Sequence, residues 1–108
     1  MTLFIILFVV SSTMAHPPKS ITLKFDNKTQ ELDVKITHPV KDVKDHFIET
    51  ILIKVNDSEV VKQVYKFQRD EKADVFRFKL EDLKSGDVIQ LKANCSKWGK
   101  KNKSLTLE

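Results

Sequence analysis

The sequence predicts an all-β domain, an immunoglobulin-like β-sandwich of about seven strands preceded by a cleavable signal peptide. Three observations support this prediction. Apolar and polar residues alternate in short runs rich in β-branched and aromatic side chains, as on strands that bury one face. Polar turn clusters separate these runs at intervals of roughly 8 to 12 residues, the spacing of a two-sheet sandwich. An uncharged apolar segment precedes the first run.

The first element, residues 1–15, is predicted to be a signal peptide. Its apolar run, Leu3 to Val10, is shorter than the ~20 apolar residues that a membrane-spanning helix needs. Small and polar residues then lead to Ala15, where a signal peptidase would cut, so that His16 becomes the mature amino terminus. The leader carries no Lys or Arg, and an uncleaved lipid tether is the alternative. Cleavage predicts a secreted or periplasmic protein without stable membrane insertion.

Residues 16–108 are predicted to form one small domain, and the alternation of apolar and polar residues indicates where its strands lie. A longer run, Phe47 to Val55, is apolar in both phases, which predicts a central strand that is buried on both faces or carries a bulge. The remaining predicted strands are marked by Ile21, Leu23 and Phe25; by Leu32, Val34 and Ile36; by Val60 to Phe67; by Val75 to Leu80; by Ile89, Leu91, Ala93 and Cys95; and by Leu105 and Leu107.

The charge pattern argues against nucleic acid as a partner. The chain has 19 Lys and Arg against 15 Asp and Glu, a net charge of +4, and the acidic residues are spread among the basic ones. One local excess of lysines surrounds Trp98, and it indicates either a solvated loop or a contact with an anionic surface. The single cysteine, Cys95, excludes an intramolecular disulfide, so the domain must rely on its core and on any bound metal.

Four residues carry the ligand chemistry of a soft or borderline metal, namely His16, His38, His46 and Cys95. Neutral imidazole and thiolate suit iron, zinc or copper and exclude magnesium or calcium as the natural ion. Loops at one end of a sandwich bring distant strands together, so separation in sequence is no obstacle. His38 precedes Pro39 and is therefore extended, whereas His46 is predicted to open the next strand.

Each of these residues also has a purely structural interpretation. His38 fits a half-buried histidine at a strand end, and His46 fits a surface residue. Cys95 is in phase with inward-facing residues and fits a small core side chain. Trp98 is predicted to pack at the exit of the last long strand.

The order of these residues resembles the desulfoferrodoxin or superoxide reductase family over nearly all of the mature chain. The matching motifs are His16-Pro17-Pro18, His38-Pro39, His46-Phe47-Ile48 and Cys95-Ser96-Lys97-Trp98-Gly99. The resemblance implies an immunoglobulin-like sandwich with a solvent-facing mononuclear iron held by four equatorial histidines and one axial cysteine. It also implies that ferrous iron reduces superoxide to hydrogen peroxide. By this resemblance His16, His38 and His46 would be equatorial ligands and Cys95 the axial one.

The sequence departs from the family pattern in four places. Trp98 stands where the fourth histidine belongs, and Ser96 replaces an asparagine. The loop from Val40 to Asp45 is two residues longer than the family's usual spacing. Met14-Ala15 replaces a Glu-Lys pair whose lysine attracts superoxide. Steering of an anionic substrate would then fall to other lysines, with Lys41, Lys44 and Lys97 as candidates.

Cleavage ahead of His16 would add a further nitrogen donor. A free α-amine has a reference pKa of roughly 7.7 to 8.0, so a metal can displace its proton near neutral pH. This amine could replace the missing imidazole in an iron site or form a copper chelate. Three histidines and one cysteine also complete the tetrahedron of a structural zinc site.

Two classes of function therefore follow from the sequence. The first is an exported iron-binding domain of the superoxide reductase type, which would react with superoxide or with a small redox partner. The resemblance implies an oxidoreductase, although the set of metal ligands is incomplete. The second is a non-catalytic exported sandwich that serves as a binding or surface domain, in which Cys95 is a core residue. No Ser-His-Asp order or paired carboxylate cluster predicts a hydrolase.

Overall fold

The structure, a computed structural model that describes residues 17–108, confirms the all-β prediction. The predicted leader and His16 lie outside the described residues. Within the described part of the chain, seven strands form two sheets: β1 Ser20–Asp26, β2 Glu31–Thr37, β3 Ile48–Val55, β4 Ser58–Val64, β5 Ala73–Lys79, β6 Val88–Cys95 and β7 Lys100–Thr106. None of these residues belongs to a helix of the length and apolarity that crossing a bilayer requires.

The two sheets have the strand orders β1-β2-β5 and β4-β3-β6-β7, and all neighbouring strands are antiparallel. Hence β4 extends the sheet that contains β3 and β6, whereas the fourth strand of a constant-type immunoglobulin domain joins the other sheet. The sheets bury their facing sides against each other. This arrangement is the predicted immunoglobulin-like sandwich.

The core consists of the inward-facing residues that the alternating sequence pattern predicted. Leu32 and Ile36 from β2 face Ile51, Ile89 and Leu91 from the second sheet, and these five side chains are at most 1% exposed. Burying each side chain of this size contributes about 1.5–3 kcal/mol relative to leaving it in water. The outward phases of the same strands are largely polar, and this alternation fixes the register of each strand.

The central strand β3 carries the bulge that its mixed phases predicted. Its register with β6 shifts between Ile48 and Thr50, and its register with β4 shifts between Ile53 and Lys54. The first shift leaves Ile48 opposite Cys95. A bulge of this kind changes the direction of the strand and of the residues that lead into it.

Two strands differ in extent from the prediction. The strand predicted from Val60 to Phe67 begins earlier and ends at Val64, and the last strand runs over Lys100–Thr106 instead of occupying only the apolar positions near Leu105 and Leu107. Both are edge strands of the second sheet. Main-chain pairing with one neighbour sets the length of an edge strand, and its exposed side chains need not alternate.

The sandwich has two ends, which we call the upper and lower ends. At the upper end β2 and β6 finish and β3 begins, whereas the lower end holds the start of β6 and the finish of β7. At the lower end the Leu107 N–H donates to the Asp87 carbonyl at 2.9 Å, and the Gly86 N–H donates to the Leu107 carbonyl at 2.8 Å. The C-terminal segment is therefore fixed at the lower end.

Candidate metal centre

Three of the four predicted ligands meet at the upper end of the sandwich. His38 follows the last residue of β2, His46 precedes β3 by two residues, and Cys95 is the last residue of β6. Because β3 pairs with β6 through Ile48 and Cys95, the segment that leads into β3 and contains His46 lies beside the end of β6. The fold thus brings together three side chains that are far apart in the sequence.

The three side chains are close enough to hold one ion. One ligand atom from each of His38, His46 and Cys95 lies within 4.8 Å of the other two. The two imidazole rings are perpendicular, with centroids 4.6 Å apart and an interplanar angle of 88°. His38 is fully buried and Cys95 is 7% exposed, while His46 is half-buried and is the nearest of the three to solvent.

The geometry and chemistry of this set fit a transition metal. Metal–nitrogen bonds of about 2.0–2.1 Å and metal–sulfur bonds of about 2.3 Å place two ligand atoms of one ion roughly 3–4 Å apart. Small rotations about the side-chain bonds would close the observed spread to that separation. Two imidazoles with one thiolate favour iron, zinc or copper over hard cations. The cluster leaves further coordination positions for another ligand or a substrate.

His46 differs from the prediction in its local structure. It lies in a turn, where its N–H donates to the Asp42 carbonyl at 2.9 Å, and the strand that it was predicted to open begins at Ile48. The turn leaves the imidazole directed toward His38, as the ring contact shows.

The loop with His38 is held against the segment that joins β4 to β5. The His38 N–H donates to the Lys72 carbonyl at 3.0 Å, and the Val40 N–H donates to the Glu71 carbonyl at 2.7 Å. From the opposite direction, the Gln68 N–H donates to the Val43 carbonyl at 2.8 Å. These backbone bonds fix the loop at its first histidine and at two positions after it.

Gln68 also contacts His38 through its side chain. Its Oε1 lies 2.8 Å from His38 Nδ1, and its Nε2 donates to the carbonyls of His38 and Asp70, each at 2.7 Å. The Gln68 side chain is fully buried. Sequence analysis did not single out this residue, since a polar residue in a charged connection gives no periodic signal.

Ser96 joins the loop of His46 to the loop of Cys95. Its Oγ accepts a hydrogen bond from the Phe47 N–H at 3.0 Å and donates to the Asp45 carbonyl at 3.2 Å, while its own N–H donates to the Phe47 carbonyl at 2.8 Å. These contacts reach the residues on both sides of His46. Ser96 therefore helps to set the distance between two candidate ligands.

An ion pair spans the same two loops on the surface. Lys97 Nζ lies 3.0 Å from Asp45 Oδ2, and both side chains are well exposed. Pairs of this kind contribute about 0–1 kcal/mol to stability. The contact has a larger consequence for electrostatics, because Asp45 offsets the charge of one lysine that the sequence offered for steering anions. Lys41 and Lys44 are the remaining candidates.

The prediction that Trp98 packs at the strand exit is wrong, because its side chain is 69% exposed. The Cys95 N–H donates to the Gly99 carbonyl at 2.9 Å, which closes a turn whose tip carries Lys97 and Trp98 toward solvent. Gly99 has φ +103°, a conformation that L residues rarely adopt. A Cβ on Gly99 would also lie 2.9 Å from the Pro17 nitrogen, so the first described residue packs tightly on this turn.

Comparison with solved structures identifies a superoxide reductase-like fold. A Thr-to-Lys variant of the superoxide reductase (neelaredoxin) from Ignicoccus hospitalis superposes with a TM-score of 0.53 at 17% identity, covering 93% of this chain and 86% of that chain. A Glu-to-Ala variant of superoxide reductase (neelaredoxin) from the same organism gives a TM-score of 0.48 at 15% identity, with coverages of 82% and 80%. No protein-family model and no curated protein matches the sequence.

Proposed function

Starting from this fold, we propose that the protein is an exported iron-binding domain that reduces superoxide. The observation that carries the proposal is the convergence of His38, His46 and Cys95, whose ligand atoms lie within 4.8 Å of one another. A buried thiol beside two imidazoles at a loop end is poorly explained by core packing alone, because apolar side chains would fill the same space without needing hydrogen-bond partners. The superoxide reductase-like fold independently favours iron as the ion.

We further propose His16 as the fourth ligand. Pro17, the next residue in the chain, packs against Gly99 of the turn that begins at Cys95. Consecutive Cα atoms are about 3.8 Å apart, so a ligand at position 16 would need only a short reach from the turn that Pro17 contacts. Removal of residues 1–15 would also free its α-amine as an additional nitrogen donor.

Each residue of the site would have a distinct role in binding the ion. Cys95 would supply a thiolate, which donates electron density and tunes the potential of the ion, while His38 and His46 would supply neutral imidazoles. Bound ferrous iron would supply one electron to superoxide, which takes up two protons to become hydrogen peroxide. His46 borders solvent, and Lys41 and Lys44 on its loop carry positive charge that attracts an anion to this end.

The first prediction concerns the metal content of protein expressed with its leader. We expect about one iron per chain, a visible thiolate-to-iron charge-transfer band after oxidation, and loss of that band in Cys95→Ser, because the transition originates on the thiolate sulfur that this substitution removes. Ser85→Ala, in an exposed turn at the lower end, is the control and should keep the band. Consumption of superoxide by the reduced protein then tests the reaction.

Two alternatives predict different results in the same measurements. Stoichiometric zinc with no visible band would indicate a closed structural site, which the set of three histidines and one cysteine could also form. A fully folded protein free of metal would contradict the iron proposal and favour a non-catalytic binding or surface domain. Copper bound only when His16 is the amino terminus would indicate a chelate that uses the α-amine.

A further inference from the structure

Gln68 is the one fully buried glutamine among the described residues, and its side-chain amide makes three hydrogen bonds in the wall of the candidate site. It lies in the connection between β4 and β5 and does not belong to the cluster of ligand atoms. Burial of an amide is costly unless both of its ends are satisfied. The arrangement around Gln68 meets that requirement in only one orientation.

The orientation of the amide follows from its two carbonyl neighbours. The atom that lies 2.7 Å from both the His38 and Asp70 carbonyl oxygens must be a donor, because a second oxygen at that distance would be repelled. That atom is therefore the Nε2 group, which donates one hydrogen to each carbonyl. The Oε1 atom must then face His38 Nδ1, at 2.8 Å.

The orientation of Gln68 in turn selects the tautomer of His38. An amide oxygen only accepts hydrogen bonds, so Nδ1 of His38 has to carry the hydrogen. A neutral imidazole with its hydrogen on Nδ1 keeps its lone pair on Nε2. Metal-binding histidines commonly have their second nitrogen hydrogen-bonded in this way, which fixes both the tautomer and the direction of the ring.

We propose that Gln68 is a positioning residue of the metal centre, which holds His38 as the Nδ1–H tautomer so that Nε2 is the ligand atom. The role in metal binding rests on the function proposed above, whereas the tautomer is a property of the metal-free protein. The competing explanation is that Gln68 only joins two loops. The two roles use different atoms of the same side chain, so they can be separated.

Two substitutions separate the roles. Gln68→Glu and Gln68→Met both remove the amide group that donates to the two carbonyls, but only Gln68→Glu keeps an oxygen that can accept from His38 Nδ1. Gln63→Met makes the same exchange at an exposed position of β4 and is the control. A role confined to joining the loops predicts the same outcome for both variants at position 68.

The first measurement uses metal-free protein and the two-bond nitrogen–proton couplings of the imidazoles by NMR. We expect the wild type, Gln68→Glu and Gln63→Met to show His38 with its hydrogen on Nδ1, and Gln68→Met to move a large fraction of it to Nε2. A wild-type spectrum with the hydrogen on Nε2 would overturn the proposal. The wild-type result decides the tautomer even if Gln68→Met fails to fold.

The second measurement is a titration with Fe²⁺ without oxygen, repeated with Zn²⁺. We expect Gln68→Met to bind about 10- to 100-fold more weakly, the usual effect of losing such a partner, while Gln68→Glu, which keeps the acceptor for His38 Nδ1 but faces two carbonyl oxygens, loses clearly less affinity. Equal losses in both variants would show that Gln68 only joins the loops. If the wild type binds neither metal, the proposed function fails, and the NMR spectrum still decides which tautomer Gln68 selects.

Discussion

Trp98 is the residue at which this chain departs most clearly from the superoxide reductase pattern, and its environment makes the departure testable. Its side chain is largely exposed at the tip of the turn that Cys95 begins, so it contributes little to the core. The position that should carry an imidazole in the family is thus open to replacement. A substitution there can alter the ligand set without disturbing the packing of the sandwich.

We therefore expect Trp98→His to bind iron more tightly than the wild type, because it adds an imidazole to the turn that already carries Cys95. The free energy of unfolding of the metal-free protein should change little, since substitutions at exposed positions usually stay within about 0.5 kcal/mol. Iron affinity and chemical denaturation check the two parts. Trp98→Phe is the control, and equal affinity in both variants would place position 98 outside the reach of the ion.

At the scale of elements, the β5 edge is protected by an arginine from the preceding connection. Arg69 Nε donates to Asp74 Oδ1 at 2.9 Å, its Nη2 donates to the Val75 carbonyl, and its guanidinium lies 5.1 Å from the centre of the Phe76 ring. Asp74 is only 2% exposed. One side chain thus pairs a buried carboxylate and occupies a main-chain acceptor of an edge strand.

We expect Arg69→Ala to lower the free energy of unfolding by about 1–3 kcal/mol, because the buried Asp74 carboxylate loses its charged donor and keeps only the Val75 N–H on Oδ1. It should also increase aggregation, because it exposes the Val75 carbonyl at the edge of the sheet. Arg77→Ala removes the ion pair with Asp33, in which both side chains are well exposed, and should lower the free energy of unfolding much less. Denaturant titration and light scattering would compare the two variants, and equal losses would contradict this explanation.

Comparison of the strands shows what the sequence could and could not predict. The central strands β2 and β6 were identified because in both a fully buried residue alternates with a partly or largely exposed one, and the alternation continues into His38 and Cys95. The edge strand β7 was predicted too short, since its lysine-rich sequence has no apolar phase and pairs through its main chain. The alternation of apolar and polar residues thus identifies buried strands better than edge strands.

The candidate site was predictable to a similar extent. Ligand chemistry and the sandwich topology allowed His38, His46 and Cys95 to converge, and the resemblance to the superoxide reductase family favoured that arrangement over a structural role for each residue. Gln68 was not identified, and Ser96 was identified only as a departure from the family motif, because their hydrogen bonds depend on how the loops pack against one another and a polar loop residue gives no periodic signal of burial. The exposure of Trp98 likewise depends on the turn that Gly99 allows.

At the scale of the whole molecule, we expect Asp87 at the lower end to make stability depend on pH in the acid range. Hydrogen bonds from the Asn56 side chain and the Lys84 N–H hold the pKa of Asp87 below its ordinary value of 3.8. The folded-state pKa is lower than the unfolded one, so this stabilisation is present above the unfolded value and is lost as the pH falls through the folded value. The pKa of Asp33 is lowered in the same way by Arg77.

We expect Asp87 to contribute the same stabilisation at every pH near neutrality, because it stays ionised there. The free energy of unfolding should fall as the pH drops below about 4 and Asp87 takes up a proton. Asp87→Asn should weaken that pH dependence and reduce stability at neutral pH, because it removes the charged acceptor of two hydrogen bonds. Urea unfolding at several pH values measures both effects. Asp57→Asn, in the neighbouring exposed turn, is the control, and an unaltered slope in Asp87→Asn would assign the acid sensitivity to other groups.

The opposite placement of the C-terminal segment and the candidate metal centre has a practical consequence. Leu107 is bound to the turn at Gly86 and Asp87, on the lower end, while Pro17 packs on Gly99 beside Cys95 at the upper end. An affinity tag ahead of residue 16 would crowd the candidate metal centre, whereas a linker joined at Glu108 would leave that end accessible. Attached to an electrode through that linker, the molecule would turn its upper end, where half-buried His46 borders solvent, toward the surrounding solution.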